Sequence, residues 1–164
     1  MKTTWSDLDS PIGPLRVHTD GISVTAVEFS PFAATGEGVE DDLQPLLVEA
    51  KRQLRLYFAG DLRDFDLPLA PRGGTEFRRR VWAALRQIPY GATASYGGVA
   101  RGLGLPAGAS RAVGTANGAN PIPIVVPCHR VVGADGSLTG YAGGLERKRA
   151  LLDLERGATS PALF

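Results

Sequence analysis

Residues 120–130 read NPIPIVVPCHR, and the prolines at 121, 123 and 127 restrict what can form there more than any other feature of the chain. A proline removes a backbone donor and pushes the residue before it towards extended geometry, so Asn120, Ile122 and Val126 are expected outside any helix. An ordinary central strand is excluded too, because its ladder needs those donors. The expectation is a stiff, buried, extended segment that delivers Cys128 to a fixed point. Cys128 is the only cysteine among 164 residues, and His129, one of two histidines, follows it. A lone cysteine excludes a disulfide framework and a multi-Cys zinc cluster, and it suits a reducing, intracellular setting. Burial as a small hydrophobe is a common fate of cysteine, so any chemical reading must come from its neighbours.

The length suits one compact domain or two small lobes, with enough core to need no staple. Residues 13–29 read as two strands joined at Asp20-Gly21, a hairpin signal. Residues 37–42 (EGVEDD) lie in a charged loop, 45–60 carry helical spacing ending at Gly60, and 64–70 alternate like an edge strand containing a proline. His18 falls on a strand beside the turn and reads as structural or exposed. The boundary falls in APRGGTEF, giving an N-terminal α/β lobe over 1–73 and a C-terminal lobe over 74–164. The fold class is therefore α+β, with a small α/β lobe and a mainly helical lobe that holds a helix-turn-helix and the cysteine loop.

In the second lobe Thr75 is a candidate N-cap for a helix with Phe77, Val81, Trp82, Leu85 and Ile88 on one face. Ser95 opens a short helix, GLPAG makes a turn, and residues 109–118 form a second short helix. The last helix is expected to turn Leu145, Ala150, Leu151 and Leu154 inward. No apolar run reaches membrane-spanning length and the first residues lack a signal-peptide core, so a soluble, cytoplasmic protein is expected. Nothing calls for more than a monomer.

Net charge is only +1, but its distribution is uneven. Residues 1–73 hold seven Lys/Arg and twelve Asp/Glu, a net −5; residues 74–164 hold eleven and five, a net +6, which suits a second half that meets an anion. The helix pair over 95–118 has the length of a helix-turn-helix, a weak signal alone. Its second helix lacks the long polar side chains of a major-groove reader, offering Ser110, Arg111, Thr115 and Asn117 among Ala, Val and Gly. Such a surface could lie against a widened minor groove with Arg111 as its single probe, or Arg111 could be an ordinary surface arginine.

A thiol of ordinary pKa, about 8.5, is mostly protonated at neutral pH and needs a local base or positive field to react. His129 is adjacent, though successive side chains often diverge, so it would act through water. Glu155 in the last helix is the carboxylate best placed to hold the imidazole. A Cys-His hydrolase and a transcription module with a sensing thiol remain readings from other classes at this point.

The combination of Pro-Cys-His-Arg, the upstream Asn-Pro and the downstream Tyr-x-Gly-Gly resembles the signature of the O6-alkylguanine-DNA alkyltransferases (methylated-DNA–protein-cysteine methyltransferases), and FRRRVWAALRQIPYGATASYGGVA and SRAVGTANG are similar to that family too. The resemblance is strong over about residues 74–157 and covers the first lobe only in size and element order. It implies that Cys128 accepts an alkyl group from guanine O6 in duplex DNA, once and irreversibly. It further implies His129 as the base acting through water, Glu155 as the carboxylate orienting it, Asn120 as the brace of the loop, and Tyr96 as donor to the departing guanine. Arg111 matches the finger that replaces the extruded nucleotide. Ser95, Ala112, Gly114, Thr115 and Asn117 fall on the implied DNA surface, Tyr141 and Ala142 line the base pocket, and carbonyls near Val126 and Cys128 would accept from the guanine amino group. The chain departs from the family in carrying Ala142 where a serine is frequent, and in lacking the cysteines for a zinc site in the first lobe. No cofactor, no metal and no obligate protein partner are implied. A non-enzymatic lesion binder of the same fold is the nearest rival, and such proteins lack the cysteine.

Overall fold

The structure, a computed structural model, describes residues 2–34, 36 and 38–159. Glu37 of the acidic loop and residues 160–164 of the expected second lobe lie outside the described residues. The chain divides into two compact units, Met1–Gly73 with Pro121–Pro123, and Gly74–Asn120 with Ile124–Phe164.

In the first unit, β1 (Thr4–Leu8), β2 (Leu15–Thr19), β3 (Val24–Phe29) and β4 (Val39–Glu40) form a sheet in the order β3-β2-β1-β4, with only β4 parallel to its neighbour. The expected hairpin joins β2 to β3: Asp20 Oδ1 accepts from Ile22 N and Ser23 N at 2.9 and 2.8 Å, and Gly21 takes the positive φ. Helix α1 (Pro45–Phe58) buries Leu47, Ala50, Gln53, Leu54 and Tyr57. Gln53 is tolerated there because its amide bonds both the N–H and the carbonyl of Asp66, each at 2.9 Å. Two expectations change. Strand β1 went unread because TWSDL shows no clean alternation; its Ser6 is buried against Asp42 and Lys51, and its Asp7 is held by Arg16. The expected strand over 64–70 is a single bridge, Leu69 beside Val24, where Pro68 contributes its carbonyl and can donate nothing. His18 is structural, fully buried and paired with Glu28.

In the second unit, α2 (Glu76–Leu85) begins where expected, with Thr75 Oγ1 accepting from Arg78 N at 3.2 Å. It buries Val81, Trp82 and Leu85, each worth about 1.5–3 kcal/mol. Trp82 also donates its indole N–H to the Ala116 carbonyl at 2.8 Å. Gly74 has to be glycine: its φ is +86°, and a Cβ there would stand 2.4 Å from the Trp82 ring. A short strand β5 (Ala94–Ser95) leads into α3 (Tyr96–Gly102), and α4 (Ser110–Gly118) follows after a 3₁₀ turn at Ala107–Ala109. Strand β6 (Val131–Val132) pairs parallel with β5, and α5 (Leu145–Thr159) completes the unit.

The inward face of α5 differs from the expected one. Leu151 is buried, but Ala150 is exposed and Leu145 is 49% exposed, while Lys148, Leu152 and Glu155 are buried instead. Positions 148, 151, 152 and 155 form one helical face, and it carries two charged groups that a hydrophobicity pattern assigns outward. The cysteine loop differs as well. Residues 122–132 are buried, but the segment is not extended throughout: Ile124 has φ +75°, and a 3₁₀ turn forms at Cys128–Arg130. A β-branched residue in the left-handed region costs about 1–2 kcal/mol, so the loop is held bent by its surroundings.

Candidate active site

Cys128 opens the 3₁₀ turn, and its backbone is held on both sides. Its N–H donates to the Val126 carbonyl at 2.8 Å, and its own carbonyl accepts from Val131 N–H and from Asn117 Nδ2, the latter at 3.3 Å. Asn120 Nδ2 donates to the Val126 carbonyl at 2.9 Å, bracing the bend. The carbonyls of Val126 and Cys128 thus each accept two bonds within the loop. Asn117 is a correction: expected on the outer surface of α4, it is 3% exposed and faces the cysteine loop.

The two residues after Cys128 enter a buried ionic cluster. His129 Nε2 is 2.7 Å from Glu155 Oε2. Arg130 grips the same carboxylate with Nε at 2.8 Å and Nη2 at 3.0 Å, and its Nη1 donates to the Ile88 carbonyl at 2.7 Å. Gly91 N–H adds a longer bond to Glu155 Oε1 at 3.4 Å. Surrounded by these donors, the carboxylate acts only as acceptor, so the His129 proton resides on Nε2. Nδ1 is then the basic nitrogen, buried and without a hydrogen-bond partner among the described residues. Burial pushes the His129 pKa below 6.5, outweighing Glu155, so the ring is neutral at pH 7.

Cys128 is 3% exposed, and burial pushes its thiol up; hydrogen bonds from Asn120 and Tyr141 and the charge of Lys148 act in the other direction. A depressed thiol pKa was the requirement read from the sequence, and the net direction is opposite because desolvation dominates. The resting pair is a neutral thiol beside a neutral imidazole.

Tyr96, at the start of α3, places its hydroxyl 2.7 Å from Thr139 Oγ1 and its ring over Gly114, whose hydrogen faces it. Ser95 caps α3, its Oγ accepting from Gly98 N at 2.9 Å. Arg111, Ala112 and Thr115 lie on the exposed face of α4, and Thr115 Oγ1 returns to the Arg111 carbonyl at 3.1 Å. Arg79, Arg80 and Arg101 are exposed on α2 and α3. Ala142 is exposed, while the neighbouring Tyr141 turns its hydroxyl inward to the thiol. The cluster thus brings together Cys128, His129, Glu155, Asn120 and Tyr141. Sequence reasoning missed Arg130 and Lys148; the spacing of Lys148 and Glu155, two helical turns apart, was the available signal. No group of three or more His, Cys, Asp or Glu that could hold a metal occurs among the described residues.

Two family models match the chain. One is the 6-O-methylguanine DNA methyltransferase, DNA binding domain, over residues 76–157, and the other is the 6-O-methylguanine DNA methyltransferase, ribonuclease-like domain, over 4–71. The methylated-DNA–protein-cysteine methyltransferase of Mycobacterium tuberculosis is 52% identical over 155 residues, covering 93% of this chain and 92% of that protein. The protein of the same name from Methanosarcina acetivorans is 50% identical, covering 92% and 97%. The crystal structure of Mycobacterium tuberculosis OGT in complex with DNA superposes with a TM-score of 0.87 at 50% identity, covering 97% and 96%.

Proposed function

The chain belongs to the 6-O-methylguanine DNA methyltransferase family, and on that premise we propose that it repairs DNA by direct reversal, moving the alkyl group of O6-alkylguanine in duplex DNA to its own Cys128. One observation carries the reading: a buried, solitary thiol followed in the chain by a neutral imidazole whose Nε2 is locked to a carboxylate.

The target carbon is inside the duplex, so the nucleotide must be turned out, at about a few kcal/mol. An alkylated guanine pairs poorly, which lowers that cost. The exposed face of α4 meets the widened minor groove, with Ala112 and Thr115 close to the backbone and Arg111 filling the gap in the stack. Exposed arginines on α2 and α3 supply the salt-dependent attraction to phosphate. In the pocket, the Cys128 proton passes through water to His129 Nδ1, and Glu155 steadies the imidazolium. Sulfur then attacks the alkyl carbon: an S–C bond forms, the C–O6 bond breaks, and its electron pair leaves with the guanine. Tyr96 donates to the departing base, which ends protonated, so that the net proton moves from thiol to guanine. The base is read by Tyr141 and the backbone beside Ala142. The product thioether has no leaving group, so each molecule reacts once. No step uses a cofactor.

The test is intact-protein mass after mixing with a duplex bearing a single O6-methylguanine. The expected result is the mass of one methyl group, mapped to Cys128, saturating at equal stoichiometry and absent in Cys128→Ala. A protein that binds the lesion but keeps its mass would be a lesion binder and would overturn the reading.

A further inference from the structure

The group that this mechanism leaves unused is Lys148. It is 0% exposed, on the same face of α5 as Glu155. Its ammonium donates to the Val131 carbonyl at 2.6 Å and to the Thr139 carbonyl at 3.0 Å. No carboxylate pairs with it among the described residues, since Glu155 is occupied by His129 and Arg130. Buried ammonium groups are rarely left without an anion, because carbonyl dipoles replace only part of the lost hydration. Both carbonyls belong to the walls of the cysteine site. Val131 sends its N–H to the Cys128 carbonyl, and Thr139 presents its hydroxyl to Tyr96.

We infer that Lys148 is the counter-ion of the Cys128 thiolate, a buried fixed charge that becomes paired only when the thiol loses its proton. The inference deepens the alkyl-transfer reading and rests on it. Lys148 is a positioning residue in this role, since it bonds the walls and acts on sulfur through its field. The other titratable groups around the pair are His129 and Arg130 on the 3₁₀ turn, Tyr141 on the following loop, Tyr96 on α3 and Glu155 on α5. None of them supplies a free anion. The two groups are reciprocal: burial pushes the Lys148 ammonium down and the Cys128 thiol up, and each charge favours the other. In the resting thiol state the ammonium is uncompensated, and proton transfer to His129 creates its partner at the moment sulfur must attack. The same bonds tie the lysine to Thr139, so the donor Tyr96 and the attacking sulfur share one anchor.

The test reads ionisation without DNA. Cys128 is the only thiol, so its carbamidomethylation by iodoacetamide, followed by intact mass against pH, reports the thiolate directly. Lys148→Met is expected to move the midpoint up by about 1–3 pH units, the effect of removing an opposite charge at close range. Lys148→Arg is expected to stay near the wild type. A folded Lys148→Met protein with an unchanged midpoint overturns the inference, and so does an arginine variant that shifts as far as the methionine one. Should Lys148→Met fail to fold, Cys128→Ala leaves the lysine in place. The ¹³Cε resonance of Lys148 should then titrate at lower pH than in the wild type, and equal midpoints overturn the inference. A protein that takes no alkyl group from DNA yet shows these shifts would sink the alkyl-transfer reading alone.

Discussion

Both histidines of this chain are fully buried, and both place Nε2 against a glutamate: His18 at 2.5 Å from Glu28, His129 at 2.7 Å from Glu155. Each leaves Nδ1 without a hydrogen-bond partner among the described residues, and burial lowers the pKa of each. What separates them is the surroundings. Glu28 is 25% exposed, and the nearby Arg16 is committed to Asp7 while lying 3.6 Å from the Trp5 ring. Glu155 is 1% exposed and gripped by Arg130, and the residue before His129 is the only thiol. A histidine–carboxylate pair is therefore not a site by itself. The pair at His129 differs in that an arginine locks its carboxylate and the thiol is the next residue along the chain.

The comparison is sharpened most by cutting each pair at its carboxylate. Glu155→Gln strands the buried Arg130 and should cost about 3–5 kcal/mol in urea unfolding. Glu28→Gln, with its glutamate partly in water, should cost about 1 kcal/mol or less. Equal losses would mean that the two pairs are alike. A smaller effect comes from pH. Both histidines have folded pKa values below the unfolded 6.5, so the unfolded chain takes up the proton first. Their stability is complete above pH 6.5 and is lost as pH falls towards the folded values, at up to about 1.4 kcal/mol per pH unit for each group. His18→Gln should flatten the fall in urea midpoint between about pH 6.5 and 5 by half; an unchanged slope would show that His18 does not titrate. The smallest effect is at α4. Asn117→Ala should cost about 1 kcal/mol through its lost bond to Cys128, whereas Thr115→Ala should leave stability unchanged. A reversed order in thermal melts would return Asn117 to the surface.

Local chemistry was the legible part of the fold. Thr75 and Ser95 announce α2 and α3 because a capping oxygen before a helical pattern is a short-range signal. Asp20-Gly21 announces the hairpin for the same reason. The misread parts depend on partners distant in sequence. Strand β1 is recognisable only beside β2 and β4, and residues 64–70 fail as a strand because Pro68 leaves a single bridge. In the site, Cys128, His129 and Glu155 were readable from residue type and position. Arg130 and the inward turn of Asn117 were not, and Lys148 was signalled only by its spacing from Glu155, because polar side chains read as outward until a buried acceptor is visible.

The most direct measurement is the single-turnover rate of methyl transfer from an O6-methylguanine duplex for His129→Gln and His18→Gln beside the wild type. The account predicts a fall of about 10²–10⁴-fold for His129→Gln, the usual contribution of a general base, and an unchanged rate for His18→Gln. A His129→Gln protein that transfers at the wild-type rate, or a His18→Gln protein that slows as much, would contradict it.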